Sequence, residues 1–419
     1  MTFSTTLGSS DWLQEICDRQ PEAAKLLGAS ADERKRRGYF HTLAEILQQP
    51  FTWIKTSAQM VQLASALVPS VAGIRNLVLT GSGSSEYAGD CVRLPLQNQL
   101  GVNTSAIGGG VLLTNGIHAL APERPGLVVS LARSGDSPES VGALSLLLKL
   151  DPELRHLVLT CNKNGKLATN FREHPDVKVV ALDDATNDRS LVMTSSFTNL
   201  AIAALSLGFL DSTEQYQAHC RQLSSIGTQV LSNHLGSLKR AAGSNFRRAV
   251  FLGTGSRFGA AREAALKMLE MTAGKISAMP ETYLGLRHGP MSYVDDKTLV
   301  VCFLSANQTA RAYECDLLRE LDQKNLGLLK VIVGEDVPAD LLRRQDIAIN
   351  SPGLELGDDW AAVIDVVVGQ LLGFFRCLHE GLCPDSPSES GVINRVVQSF
   401  KLHLPGTMTS KGSLSRSEK

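Results

Sequence analysis

One helical stretch of the chain places three ionisable side chains on a single face. In "REAALKMLEM", Glu263, Lys267 and Glu270 stand at positions i, i+4 and i+7, a spacing that aligns them along a helix. A carboxylate beside an ammonium group suits proton transfer, because the cation stabilises negative charge that develops on the reacting molecule. A solvated stripe of ion pairs has the same spacing, so the helix alone leaves both interpretations open.

A loop downstream of this helix adds another carboxylate and an imidazole. "PETYLGLRHGP" contains Glu281 and, directly before a Gly-Pro turn, His288. Histidine exchanges protons near neutral pH. A single loop histidine is often incidental, but its place after an acidic and basic helix favours a catalytic role.

Two turns rich in Gly and Ser each follow an apolar stretch and precede a helix-forming one: "GSGSSEYAG" and "ARSGDSPES". Unpaired backbone N–H groups at a helix start attract anions, and serine hydroxyls add donors on short stems. Either turn alone is typical of an ordinary chain reversal, whereas two in one domain favour phosphate binding. Neither a G-x-G-x-x-G nor a Walker A pattern occurs there, which disfavours a nucleotide. The candidate residues are Ser84, Ser85, Ser134 and Ser137, with Gly83 and Gly135 in the turns.

The elements that carry these residues occur twice along the chain. "NLVLTGSGSSEYAG" from Asn76 is echoed by "RAVFLGTGSRFGAA" from Arg248, and a second apolar strand follows each copy at the same separation. Short apolar strands alternate with helix-length segments in both copies. This alternation predicts an α/β fold of two doubly wound parallel sheets in tandem.

The repeat also sets the expected domain boundaries. Residues 1–50 read as a helical segment ending at Pro50, residues 51–211 as the first domain, and residues 215–404 as the second. The polar tail, 405–419, is expected to be disordered. In the second copy Arg257 and Phe258 replace the paired serines, so the phosphate site is expected in the first copy only.

Composition narrows the class of protein. The 419 residues include 41 Lys+Arg and 42 Asp+Glu, for a net charge of -1, so no basic excess points to nucleic acid or a membrane surface. No secretory signal and no membrane-spanning apolar run is visible, which predicts a cytoplasmic protein. The eight cysteines are scattered without metal-ligand spacing, so no metal or other cofactor is expected.

Together these motifs resemble a known family. "GSGSSEYAG", "SLARSGDSPES", "EAALKMLE" and "PETYLGLRHGP" occur in the order found in tandem sugar isomerase (SIS) domain proteins, including the isomerase half of glucosamine-6-phosphate synthase. With "LVMTSSFTN" and "SESGVINRVV" added, the chain resembles more closely the galactosamine-6-phosphate deaminase/isomerase family, often labelled tagatose-6-phosphate ketose/aldose isomerase. The resemblance covers roughly residues 40–404.

The resemblance implies a role for each candidate residue. Ser84, Ser85, Ser134 and Ser137 match phosphate-binding hydroxyls, and Arg133, which stands where the synthase has glutamine, adds a charged donor. Glu270 matches the carboxylate that moves a proton between C1 and C2, with Glu281 as the other candidate base; Glu263 and Lys267 match its supporting neighbours, and His288 matches the ring-opening histidine. The turn with Gly255 and Ser256 is expected to support the intermediate. Asn394 and Arg395 stand where the synthase has a lysine, so no covalent sugar–lysine adduct is expected.

The implied activity is conversion of galactosamine 6-phosphate, or a related hexosamine 6-phosphate, to a ketose 6-phosphate and ammonia. Two alternatives remain open: aldose–ketose isomerisation without deamination, and a non-catalytic sugar-phosphate sensor. The resemblance also implies a homodimer in which His288 enters the neighbouring subunit's site.

Overall fold

The computed structural model describes residues 10–350, 356–388, 390–397 and 400–403. The tail expected to be disordered, 405–419, lies outside these ranges. The described chain begins with helices α1 (Ser10–Arg19), α2 (Pro21–Leu27), α3 (Ala31–Arg36), α4 (Thr42–Leu47) and α5 (Gln49–Val71). Pro50 was expected to end the helical segment, but it lies in the first turn of α5, where its missing N–H costs no hydrogen bond.

The first sheet is parallel and follows the order β2-β1-β3-β4-β5. Its central strands β1 and β3 are buried at every position, because helices cover both faces of the sheet. Its elements are β1 (Asn76–Gly81), α6 (Ser84–Leu100), β2 (Asn103–Gly108), α7 (Gly109–Asn115), β3 (Gly126–Ala132), α8 (Pro138–Leu150), β4 (Leu154–Thr160), α9 (Lys166–Phe171), β5 (Val177–Ala181) and α10 (Ser195–Leu205).

The second sheet repeats this connectivity in the order β10-β9-β8-β6-β7. Helix α11 (Thr213–Ala242) joins the sheets, and the rest follows as β6 (Arg248–Leu252), α12 (Ser256–Met271), β7 (Ser277–Glu281), α13 (Tyr283–Leu286), β8 (Thr298–Phe303), α14 (Gln308–Gln323), β9 (Leu329–Gly334), β10 (Ile347–Asn350) and α15 (Gly357–His379). The predicted class, two doubly wound parallel sheets in tandem after a helical segment, is confirmed. The exact domain limits stay predictions.

Helix α15 lies in the core between the repeats. It is the one described helix long and apolar enough to cross a membrane, and 94% of its most apolar stretch is buried within the protein. Gly369 allows close packing on α12, since a Cβ there would lie 2.4 Å from the Cβ of Ala264. Helix α15 therefore supports the face of α12 opposite the first domain.

Helices α6 and α12 connect the two sheets by packing antiparallel. The contacts run in opposite directions along the two helices, so the start of α6 lies beside the last turns of α12. The close approach depends on Gly259, where a Cβ would lie 2.6 Å from the backbone nitrogen of Cys91. The paired residues are Ser84 with Lys267, Asp90 with Arg262, Cys91 with Gly259, and Leu94 with Gly255.

Candidate active site

The turn after β1 is shaped by a glycine in the left-handed region. Gly83 has φ +57°, a conformation that side chains disfavour, and Ser84 begins α6 directly after it. The hydroxyl of Ser85 donates to Met193 Sδ at 3.8 Å. The hydroxyl of Ser82 is buried without a hydrogen-bond partner among the described residues. Sequence analysis did not assign Ser82, although it stands in the quoted motif; a buried, unpaired donor is the signal that singles it out.

The second serine turn borders the same space. Gly135 has φ +67°, and Ser134 Oγ accepts a hydrogen bond from the backbone N–H of Asp136 at 3.2 Å. Gly109, at the start of α7, separates the turns: a Cβ on it would lie 3.3 Å from Ser82 Oγ and 3.7 Å from the carbonyl carbon of Glu139. Both turns follow adjacent strands at the point where the strand order reverses, which is the usual ligand position in such sheets.

Ser137 precedes α8 as expected, but its side chain does not cap the helix. Its hydroxyl donates instead to the carboxylate of Glu139. The hydroxyl can rotate toward an anion, since the Ser–Glu contact is within one turn and partly exposed.

The ionisable face of α12 points at the first turn of the first domain. Lys267 Nζ donates to Ser84 Oγ at 3.1 Å, lies 3.3 Å from Glu263 Oε1, and also donates to Glu270 Oε2. The side chains of Lys267 and Glu263 are fully buried, whereas that of Glu270 is 24% exposed. The interpretation of these residues as a solvated stripe of ion pairs is therefore wrong. The carboxylate that a substrate can reach is Glu270.

Burial sets the charge of this cluster. It raises the pKa of Glu263 to about 8, although the ammonium of Lys267 opposes the shift. For Lys267, burial acts to lower the pKa, but the two carboxylates outweigh it and the pKa is raised. Burial therefore favours the protonated form of Glu263, next to the contact between Lys267 and Glu270.

Glu281 and His288 occupy different surroundings. Glu281, at the end of β7, accepts a hydrogen bond at 2.8 Å from the backbone N–H of the next residue, Thr282. His288 is exposed on the loop after α13, and the described part of the chain shows its backbone N–H bonded to the Gly285 carbonyl at 2.9 Å but no hydrogen bond of its imidazole. The structure does not bring His288 to Glu270 through any described contact within one chain.

The turn before α12 does not reach the cluster. Gly255 has φ +58°, close to the value at Gly83, but Ser256 and Glu270 are at opposite ends of one helix, roughly 21 Å apart along its axis. Ser256 Oγ donates to Asp359 Oδ1 at 3.1 Å. The turn with Gly255 and Ser256, which was expected to support the intermediate, therefore lies too far from Glu270 for direct support.

In the second copy, the turn equivalent to the first serine turn is occupied by charged side chains of the protein itself. The guanidinium of Arg257 donates twice to Asp365, at 2.7 and 2.8 Å, and lies 3.5 Å from Asp358. The pKa of Asp365 is raised to about 6 by burial despite this pairing. The side chain of Arg257 thus occupies the place where the first copy offers hydroxyls. The prediction of a phosphate site in the first copy only stays a prediction.

Arg133 holds neighbouring segments of the chain beside the serine turns. It is buried and donates to the backbone carbonyl of Leu191 at 2.8 Å and to that of Arg395. Arg395 in turn donates to Asn187 Oδ1 at 2.7 Å and to the Asp188 carbonyl. These two arginines tie the segment before α10 and the C-terminal segment to the second serine turn. The side chain of Asn394 donates locally, to the Gly391 carbonyl at 3.3 Å.

Two buried carboxylates behind this segment were missed by sequence analysis. Asp188 accepts hydrogen bonds from the backbone N–H groups of Thr194, Ser195 and Ser196 and so caps α10. Glu45 accepts from the backbone of Ser190, and burial, followed by the charge of Asp188, raises its pKa to about 8. Glu45 contacts Ser190, which is more than a hundred residues away, and Asp188 lies in an irregular loop. The spacing of residues along the chain therefore does not reveal either carboxylate.

Comparison with known proteins agrees with this architecture. Residues 244–350 match the SIS domain family. The D-galactosamine-6-phosphate deaminase AgaS of Escherichia coli is 36% identical over 376 residues, covering 86% of this chain and 95% of that protein. The corresponding AgaS protein of Shewanella sp. (strain ANA-3) is 33% identical over 381 residues, covering 89% of this chain and 94% of that protein. The chain belongs to the AgaS family of SIS-domain proteins.

Solved structures of other proteins share the fold of this AgaS-family chain over most of its length. The tagatose-6-phosphate ketose/aldose isomerase from Escherichia coli superposes with a TM-score of 0.76 at 32% identity, over 86% of this chain and 96% of that one. The C-terminal domain of glucosamine-fructose-6-phosphate aminotransferase from Francisella tularensis gives a TM-score of 0.71 at 18% identity, over 84% and 99%, a likeness of fold. The predicted enzyme class, a sugar-phosphate deaminase/isomerase, is confirmed for the AgaS family to which the chain belongs.

Proposed function

We propose that the protein converts galactosamine 6-phosphate, or a closely related hexosamine 6-phosphate, to a ketose 6-phosphate with release of ammonia. One observation carries the proposal. Lys267 Nζ donates both to Ser84 Oγ, at 3.1 Å, and to Glu270. A substrate whose phosphate binds at the serine turns would therefore meet the exposed carboxylate of Glu270 beside the same ammonium group.

The serine turns bind the phosphate in this proposal. The hydroxyls of Ser82, Ser84, Ser134 and Ser137, with the backbone N–H groups at the start of α6, supply donors on a rigid scaffold. Binding energy at C6 then fixes the orientation of the reacting carbons at the other end of the sugar. Arg133 contributes by position, because its contacts to Leu191 and Arg395 are all to backbone carbonyls.

Glu270 moves one proton between neighbouring carbons of the opened sugar. It removes the proton from C2 while the C1 carbonyl oxygen takes one from water, which gives an enolamine. It then returns the proton to C1 while the nitrogen releases one to water. The product is an imine at C2; water adds to it, the C–N bond breaks, and ammonia leaves as the ketose forms. The ammonium of Lys267 stabilises the negative charge that develops on oxygen, and general acid–base catalysis of this kind contributes about 10²–10⁴-fold.

Ring opening is assigned to His288 from a neighbouring subunit. Its imidazole is exposed in one chain, so it is available to a second copy placed against this loop. The site would then be complete only in a homodimer, with Glu270 from one chain and His288 from the other.

The deciding experiment measures ammonia and ketose 6-phosphate separately. Galactosamine 6-phosphate is expected to give both in equal amounts, and glucosamine 6-phosphate, its C4 epimer, tests recognition at C4. Galactose 6-phosphate turned over to a ketose, with no ammonia from either amino sugar, would instead establish the plain isomerase. Binding without turnover of any of the three would establish the sensor.

A further inference from the structure

One loop of the first domain contacts both serine turns. It is the irregular stretch 187–194, between β5 and α10. On one side, the hydroxyl of Ser85 in the first turn donates to Met193 Sδ at 3.8 Å. On the other, Arg133, which directly precedes the second turn, donates to the Leu191 carbonyl oxygen at 2.8 Å. The position of this loop therefore sets how the two turns are placed relative to each other.

A buried carboxyl group of the N-terminal helical segment holds the middle of this loop. Glu45 lies on α4 and is only 7% exposed. Its Oε1 accepts hydrogen bonds from the backbone N–H groups of Arg189, at 2.5 Å, and Ser190, at 3.3 Å. Its Oε2 contacts the hydroxyl of Ser190. These contacts join positions 144 and 145 residues apart, so Glu45 fixes the loop against a separate part of the fold.

The hydroxyl of Ser190 extends this contact along the loop. It lies against Glu45 Oε2 and, at 3.3 Å, against the backbone carbonyl oxygen of Val192. A hydroxyl has one hydrogen, so both contacts form at once only if the carboxyl of Glu45 is protonated and donates to Ser190, which then donates to Val192. Burial, followed by the charge of Asp188, raises the pKa of Glu45 and so favours this arrangement. Because Val192 directly precedes Met193, this chain of hydrogen bonds ends beside the first serine turn.

We propose that Glu45 is a positioning residue for the phosphate end of the substrate, which acts through the loop 187–194 to fix the two serine turns relative to each other. This inference rests on the proposed function, since the ligand it concerns is the phosphate bound at those turns. Without the carboxyl of Glu45, the backbone N–H groups of Arg189 and Ser190 lose their buried acceptor. The loop then shifts, and the hydroxyls of the two turns no longer converge on one phosphate.

Titration calorimetry on the full chain tests the inference with galactitol 6-phosphate, which has the phosphate but no carbonyl or amine and so cannot react. Wild type is expected to bind it, and Glu45→Ala should bind it at least about 10-fold more weakly. Glu45→Gln should bind within about 2-fold of wild type, because its amide oxygen accepts from the backbone and its amide N–H₂ donates to Ser190. Ser190→Ala keeps the backbone contacts and should weaken binding by about 3-fold, so it tests the same contacts even if Glu45→Ala does not fold.

Steady-state kinetics on galactosamine 6-phosphate separates positioning from chemistry. The proton-transfer groups Lys267 and Glu270 lie on α12, in the other domain. In Glu45→Ala the KM should therefore rise about 10-fold while kcat changes by less than about 3-fold. A fall in kcat with KM unchanged would overturn the inference.

Gln20→Ala is the matched control for a general loss of stability. Gln20 is also 7% exposed and belongs to the same N-terminal segment. Its side chain accepts from the backbone N–H of Gly236 at 2.8 Å and donates to the Leu231 carbonyl oxygen at 3.0 Å, both on α11. The variant should unfold at a lower temperature than wild type and bind galactitol 6-phosphate as wild type does.

The outcomes separate this inference from the proposed function. Equal affinity in wild type, Glu45→Ala and Ser190→Ala would overturn it, as would equal weakening in Gln20→Ala, or a loss in Glu45→Gln as large as in Glu45→Ala. No binding by wild type, or unchanged binding by Ser84→Ala/Ser134→Ala, would remove the proposed phosphate site and this inference with it. Binding that depends on Glu45 in a chain that releases no ammonia would support the inference and contradict the proposed deamination.

Discussion

The two candidate carboxylates, Glu270 and Glu281, differ in what they already contact. Glu270 Oε2 accepts from the buried ammonium of Lys267, which also contacts Ser84. Glu281 is bonded to the backbone and hydroxyl of Thr282, next to it in sequence. A base that must approach both the sugar and a cation is therefore better placed at position 270.

Replacing the base should slow chemistry without weakening substrate binding. Glu270→Gln keeps the side-chain shape but cannot accept the C2 proton, so we expect kcat to fall about 10²–10⁴-fold with KM nearly unchanged. Glu281→Gln is the matched control and should change kcat only a few-fold. Steady-state ammonia release on galactosamine 6-phosphate measures both, and the reverse ranking would move the base to Glu281.

The protonated state of Glu263 makes stability depend on pH. Burial raises its pKa from 4.5 to about 8, so between these values the folded chain holds a proton that the unfolded chain has lost. Stability is fully present below about pH 4.5 and falls as pH rises toward 8, by about 1.4 kcal/mol per pH unit per retained proton. Glu45, with a pKa raised to about 8, acts in the same direction.

Glu263→Gln should remove one of these two contributions. We expect the urea midpoint of the variant to fall less steeply than that of wild type from pH 5 to 8, and Glu45→Gln to show the same flattening. Glu153→Gln, at an exposed position, is the control and should follow wild type. A Glu263→Gln midpoint with the wild-type pH dependence would contradict the protonated state.

Residue types and spacing were enough to select Ser84, Lys267 and Glu270, which the structure brings together. The same reasoning could not find Ser82 or Asp188. Ser82 is distinguished by a buried hydroxyl without a partner, and Asp188 by three backbone N–H groups that converge on it. Both features arise from folding and leave no periodic pattern in the chain.

At the level of elements, the site depends on how closely α6 and α12 approach. The sequence predicts both helices, because each follows a strand and a Gly-containing turn. It does not predict that they pack antiparallel, since the contacts of Gly259 with Cys91 and of Lys267 with Ser84 join positions more than a hundred residues apart. Because of that packing, Glu263 and Lys267 form a buried cluster and not the solvated stripe of ion pairs that their spacing also allows.

Adding one methyl group at the crossing should disturb stability and catalysis together. In Gly259→Ala the new Cβ would lie 2.6 Å from Cys91 N and 2.9 Å from the carbonyl carbon of Asp90, and backbone atoms cannot move aside cheaply. We expect a loss of about 1–3 kcal/mol and a fall in kcat/KM of roughly 10-fold as Lys267 shifts from Ser84. Thermal unfolding and ammonia release measure the two effects.

Gly110→Ala is the control for the stability effect. Position 110 lies in helix α7, and a Cβ there would meet nothing within 4 Å. The substitution should leave stability unchanged or raise it by about 0.5–1 kcal/mol. If Gly259→Ala behaves in the same way, the close approach of α6 and α12 is not required.

In the whole molecule, the repeat generates two equivalent positions, and the side chains proposed for catalysis occur at only one of them among the described residues. The antiparallel crossing pairs the start of each helix with the end of the other. By the register of Gly83 with Gly255, the counterparts of Lys267 and Glu270 on α6 are Pro95 and Asn98, which carry no charge. The counterpart turn holds Arg257, neutralised by Asp365. In the proposed function each domain therefore supplies half of one site: the first would bind the phosphate, and the second would carry the proton-transfer groups.

The exposed position of His288 allows a test of whether one site is shared between two chains. If His288 acts in the neighbour's site, co-expressed Glu270→Ala and His288→Ala chains form heterodimers with one intact site and one site that carries both substitutions. Random pairing into dimers then restores about a quarter of wild-type activity. The matched control is Glu270→Ala with Ser84→Ala, two defects that fall in the same half of every site, and it should restore none. If the Glu270/His288 pair also restores none while both chains co-purify as dimers, His288 acts within its own chain, and the loop after α13 must move to reach Glu270.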